Sequence, residues 1–210
     1  LSLESERRVI KDEIMNPDGW DSVYPMVGPE AIKALYLSTH PEYNGMTLSE
    51  IAGIKELKDP LDALFDILGD ETGLAVMTDV TETEESLEKI MSHPLMCFGT
   101  DSLYSSPLPH PRSFHSTVHF LKKYVLERKL FTMEEAIRRM TGETAERFGL
   151  KDRGVIEEGK AADITVFDPE RLGEVDERRN RGFSLVLVNG KIALKDDIVT
   201  GETGGKVLTL

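Results

Sequence analysis

The chain is short of several things, and each shortage removes a class of protein. It holds one cysteine, Cys97, among 210 residues, so no internal disulfide framework braces it. Its five histidines are His40, His93, His110, His115 and His119, and they form no His-x-His pair. Positive charge is scarce: 25 lysines and arginines face 38 aspartates and glutamates, a formal net charge of −13. So acidic a chain, without a basic stripe, is a poor binder of nucleic acid or of an anionic membrane surface. No run is long and apolar enough to span a bilayer, and the first residues carry no signal-peptide pattern. The cytoplasm is therefore the expected compartment. Internal repeats and low-complexity tracts are missing too.

What remains is a globular composition, 40% hydrophobic and 30% charged, enough for one domain or one and a half. Residues 3–15 read as a helix of mixed charge that "NPDGW" at 16–20 breaks. "AIKALYLSTH", 31–40, has no clear period. "TLSEIAGIKEL", 47–57, opens with Thr47 and Glu50 at capping-box spacing. "DPLDALFDILGD" begins with Asp59 as N-cap and Pro60 at the first helical position, and Gly69 is a plausible stop. "GLAVMTD", 73–79, is a short apolar strand, and "TETEESLEKIMSH", 81–93, a helix with an acidic first turn. A helix is expected over 114–129. Two more helical pieces are expected over 132–150, with Thr132 capping the first and Gly149 ending the second.

Near residue 151 the texture changes to β-branched segments separated by Gly and Asn-Gly turns. Strands are expected near 154–158, 162–167, 184–188 and 191–194, paired antiparallel, with Asn189-Gly190 as a tight hairpin turn. The class is α/β. Residues 1–150 alternate strands and helices, and residues 151–210 form an all-β piece.

Chemistry gathers in "FGTDSLYSSPLPHPRSF", 98–114. The apolar run Leu95, Met96, Cys97, Phe98 reads as a short buried strand, and Asp101 stands just past its carboxyl end, the edge where α/β proteins collect functional groups. A proline-rich loop with His110 and Arg112 follows. Plainer roles exist for each residue: Asp101 as a turn cap, His110 bonded to its own loop, Arg112 at the surface. His115 and His119 are spaced as metal ligands on a helix would be. The run is "HSTVH", however, without the glutamate of an H-E-x-x-H motif, and a packed or solvated face suits it better. Cys97 suits a core better than a nucleophile's role.

"MCFGTDS", "PHPRSF", "FTMEEAIRRMTGETAERFGLKDRGVIEEGKAADITVFDPE" and "VLVNGK" together resemble the C-terminal portion of the amidohydrolase superfamily, and most resemble its N-acyl-D-amino-acid deacylases. The long tail is shared with dihydroorotase-like and hydantoinase-like enzymes. The Asp101 loop with "HPR" points to the deacylase branch. The resemblance implies the last strands and helices of a (β/α)8 TIM-type barrel over 1–150, followed over 151–210 by strands of a small composite β-sandwich. It implies Asp101 as the general base beside the metal, Arg112 as the clamp on the substrate α-carboxylate, and His110 in the same substrate-binding loop. Zinc is implied for the parent family. This chain has no His-x-His pair and no histidine at a family ligand position, so alone it is expected to hold zinc weakly and to be inactive. A complete barrel takes about 250 residues, so the chain is expected to be a fragment. Two alternatives stand beside the deacylase reading: a non-catalytic remnant or partner-binding module, and another C–N hydrolase acting on a cyclic amide. The partners implied are a small N-acyl amino acid and either a second copy or the missing N-terminal half, which unpaired strand edges and bare apolar faces would attract.

Overall fold

The computed structural model describes residues 4–70, 75–78, 82–101, 110–176 and 178–208. They fall into two compact units. One lies within Leu1–Leu87 and takes in His110; the other lies within Glu88–Leu103 and Pro111–Leu210.

The first unit contains helices α1 (Glu4–Met15) and α2 (Val23–Val27), strand β1 (Lys33–Leu37), helices α3 (Leu48–Ile54) and α4 (Pro60–Asp70), strand β2 (Ala75–Thr78) and the start of α5 (Glu84–Met91). Its core is Ala34, Leu37, Leu48, Ile51, Ala52, Ala63 and Ile67. Leu48, Ile51 and Ala52 lie three and four apart, and so do not leave one helix face. Ala34 and Leu37 are three apart on a strand, which ordinary alternation would send to opposite faces. The register of β1 against β2 shifts between Ala34 and Tyr36, and that irregularity turns both inward. Thr47 and Glu50 close the expected capping box on α3. Asp59 Oδ1 accepts from Leu61 N at 3.0 Å to start α4. Helix α1 buries none of its residues and is held on α4 by ion pairs, Arg7 to Asp66 at 2.7 Å and Lys11 to Asp59 at 2.7 Å.

The second unit contains α6 (Ser116–His119), a π-helical stretch Phe120–Glu127, α7 (Met133–Met140), α8 (Gly142–Arg147) and strands β3 (Ile164–Phe167), β4 (Gly173–Glu174), β5 (Asn180–Arg181), β6 (Phe183–Val188), β7 (Lys191–Lys195) and β8 (Ile198–Val199). Its helical core is Val118, Phe120, Leu121, Tyr124, Val125, Ala136 and Ala145. The larger sheet has the order β3-β6-β7-β8, every neighbour antiparallel. Asn189 (φ 47°) and Gly190 (φ 78°) link β6 to β7 with the left-handed geometry that a two-residue type I′ turn requires, as expected.

Three expectations need correction. The run 95–98 is not a buried strand: Leu95 is 64% exposed, and 96–100 has no regular structure. Its backbone instead curls on His93, which accepts from Leu95 N through Nδ1 and from Met96 N through its carbonyl. Residues 154–158 form a loop. Gly154 has φ 89°, and a Cβ there would lie 2.5 Å from that of Ala145, so the chain is pressed against α8 rather than extended. Over 114–129 the α-helix lasts only through α6 before the π-helix takes over, as in Arg128 N to Lys123 O at 2.8 Å. Both windings bring Phe120, Leu121, Tyr124 and Val125 to one side, so periodicity does not tell them apart. All strand pairings among the described residues are antiparallel, including β1 with β2.

Candidate functional site

The central part of the stretch singled out in the sequence, 102–109, lies outside the described residues. Its two ends are described. Asp101 and Arg112 both belong to the second unit, and the structure brings them together: Asp101 Oδ2 lies 3.3 Å from an Arg112 Nη1. The Asp101 side chain is 82% exposed and that of Arg112 41%. Such an exposed pair contributes about 0–1 kcal/mol and opens readily to a competing ion. Asp101 has φ 45°, in the left-handed region that Asp enters more easily than most residues.

Arg112 sits in a single 3-10 turn, Pro111–Ser113, just ahead of α6. Ser116 Oγ donates to the Arg112 carbonyl at 2.7 Å and ties the turn to that helix. His115, next to it, is buried, and its Nδ1 lies 2.8 Å from Asn180 Oδ1 on β5. Asn180 Nδ2 in turn donates to the Phe114 carbonyl at 2.7 Å. His115 is thus a satisfied core histidine that pins the loop's exit, and His119 packs edge-on against Tyr124. His115 is packed, while His119 lies on an exposed helix face.

His110 belongs to the first unit, where its Nε2 lies 3.2 Å from Thr78 Oγ1 at the end of β2. Also in this unit, His40 is held between Glu42 at 3.1 Å and Asp70 at 3.3 Å. Both ring nitrogens face carboxylates. The hydrogen bond to Glu42 above all raises its pKa over the usual 6.5, with burial opposing and Asp70 helping.

The second unit carries an ion network that the sequence did not reveal. Arg139 is 8% exposed, its Nε donates to Glu135 Oε1 at 2.6 Å, and its Nη1 donates to the carbonyls of Met91 at 3.1 Å and His93 at 3.0 Å. Arg138 takes the other side of Glu135, and hydrogen bonds from Arg138 and then Arg139 pull the Glu135 carboxyl down to about 2. Arg147 donates to Glu143 at 2.7 Å and to the Pro94 carbonyl at 3.4 Å. A usable signal existed: Glu135 and Arg139 are spaced i, i+4, with Arg139 three residues from the buried Ala136.

The fit of a metal ion can be tested on these residues. Asp101 points a largely exposed carboxylate at a guanidinium, and among the described residues no group of three or more His, Cys, Asp or Glu side chains is arranged to hold a metal. The donor set does not fit zinc, whose catalytic sites take three protein ligands.

The chain belongs to the amidohydrolase family, whose model matches residues 48–194. It is 30% identical over 174 residues to N-acyl-D-aspartate deacylase of Alcaligenes xylosoxydans xylosoxydans, covering 80% of this chain and 34% of that protein. The crystal structure of D-aminoacylase superposes with a TM-score of 0.70 at 28% identity, over 82% of this chain and 36% of that one. N-acyl-D-glutamate deacylase from Bordetella bronchiseptica, solved with zinc and a phosphonate mimic of its tetrahedral intermediate, superposes with a TM-score of 0.65 at 32% identity, over 78% and 34%. The chain spans about a third of the length of these relatives. No helix among the described residues is long and apolar enough to cross a membrane.

Proposed function

We propose that the chain is the C-terminal part of an amidohydrolase that cleaves the amide bond of N-acyl-D-amino acids. Asp101 is its general base, Arg112 clamps the substrate α-carboxylate, and His110 belongs to the same binding loop. In the whole enzyme residues 1–150 complete the barrel and 151–210 the sandwich. The observation that carries this reading is the 3.3 Å approach of Asp101 to Arg112, two residues eleven apart in sequence. The weak exposed pair suits an exchange. The substrate carboxylate takes the guanidinium fork through two parallel hydrogen bonds, and Asp101 is released.

The released carboxylate then accepts a proton as water adds to the acyl carbon, and hands it to the amide nitrogen as the C–N bond breaks. A carboxylate and a free D-amino acid leave. Zinc, which the Bordetella relative carries, would activate that water in the whole enzyme; its ligands are not assembled by the residues described in this chain.

The remainder of the enzyme is the proposed partner. The larger sheet supports this: none of the residues in β3, β6, β7 or β8 is fully buried, and Val166, Ile192, Ile198 and Val199 lie open. A sheet of that composition is stable when a second layer covers it.

The clamp distinguishes a deacylase from a hydrolase of cyclic amides that, like a simple hydantoin, carry no carboxylate. With this chain replacing the matching third of D-aminoacylase, Arg112→Ala is expected to raise KM for an N-acetyl-D-amino acid about tenfold or more, since a charged hydrogen bond contributes about 1.5–3 kcal/mol. An unchanged KM would remove the deacylase assignment.

A further inference from the structure

We propose that Arg139 is a positioning residue for the Asp101–Arg112 pair, acting by gripping both ends of the 91–98 segment; this rests on the reading of that pair as the site. The segment needs such a grip. Past α5 it has no strand partner among the described residues, and 96–100 has no regular structure to set its course toward Asp101.

At its start, the last carbonyls of a helix have no partner within it. Arg139 Nη1 donates to the carbonyl of Met91, the last residue of α5, at 3.1 Å, and to that of His93, two residues on, at 3.0 Å, which also accepts from Met96 N. Arg147 adds a third bond one residue later, to Pro94 O at 3.4 Å. At the segment's far end the link is aromatic. The Arg139 guanidinium lies 4.9 Å from the Phe131 ring centroid, Phe131 is 5.9 Å from Phe120, and Phe120 is 5.0 Å from Phe98. Phe98 stands three residues before Asp101. One planar cation thus fixes the helix end by hydrogen bonds and supports the row of tilted rings on which Phe98 rests. Glu135 at 2.6 Å neutralises it, without which a guanidinium so deeply buried would be costly. All these residues lie in the second unit.

The plainer alternative is a structural ion pair that joins α7 to α5 and leaves the site indifferent. A spectroscopic cycle separates the two. In the chain with 13C-labelled aspartate carboxyls, Arg112→Gln displaces the Asp101 carboxyl resonance because it removes the facing cation. In an Arg139→Met background that displacement is expected to vanish, and Arg139→Lys, which keeps a cation and two donors, is expected to restore part of it. A displacement of full size in Arg139→Met overturns the proposal. If Arg139→Met fails to fold, Phe98→Leu carries the test: the displacement is expected to fall by about half or more, and an unchanged one overturns the proposal. The readout is geometry and not turnover. An Asp101 that proves dispensable for hydrolysis, with Arg139-dependent coupling intact, would overturn the site reading alone.

Discussion

Asp101, Arg112 and His110 stand out in one stretch of the sequence, but their surroundings are not legible there. The sequence carried the residue types and the order. It did not say that Asp101 would face Arg112 at 3.3 Å, nor that His110 would meet Thr78. Arg139 was hidden because an arginine in "EEAIRR" reads as solvated helix surface, and only the i, i+4 spacing to Glu135 hints otherwise. Single residues also contribute to the pH dependence of stability. Glu135 has its folded pKa pulled down to about 2 from 4.5 by Arg138 and Arg139, so the unfolded chain binds its proton first. Its stabilising contribution is full above the ordinary value and is lost as pH falls toward about 2. His40 has the opposite sign: raised above 6.5, foremost by Glu42, it stabilises below that value and loses its contribution as pH rises through the folded value. Urea midpoints measured from pH 2 to 9 should show Glu135→Gln flattening the acid limb and His40→Asn the alkaline limb. Parallel curves for wild type and either variant would contradict the assignment.

Elements were read best where one residue's chemistry decides a boundary. The Thr47–Glu50 box, Asp59 before Pro60, Thr132 accepting from Glu135 N and the Asn189-Gly190 turn all stand where expected. These are local rules, met within a few residues. Reading failed where an element needs a distant partner. The runs 95–98 and 154–158 have strand composition, but a strand forms only against another, and each is held otherwise, on His93 and on α8. The loop at 154 gives a sharp prediction. Gly154→Ala places a Cβ 2.5 Å from Ala145 Cβ at a φ of 89°, with no flexible side chain to yield. A loss of about 1–3 kcal/mol is expected from the backbone strain alone, read as a lower urea midpoint with unchanged slope. A midpoint equal to wild type would mean that the loop is not pressed on α8.

At the scale of the whole molecule, the chain is an amidohydrolase-family sequence that matches about a third of its relatives' length. It presents the carboxylate and the arginine of the proposed site while its described residues assemble no metal cluster. Its larger sheet leaves Ile198 70% and Val199 74% exposed. Whether this portion supplies the proton-transfer group of a deacylase is tested most directly by kcat/KM for an N-acetyl-D-amino acid, measured with this chain in place of the matching third of D-aminoacylase, with and without Asp101→Asn. Asparagine tolerates the positive φ of position 101 and removes only the charge and the basicity. The predicted result is a fall of about 10²–10⁴, the usual worth of a general acid–base group; activity within about twofold of the unsubstituted chimera would contradict the role of Asp101.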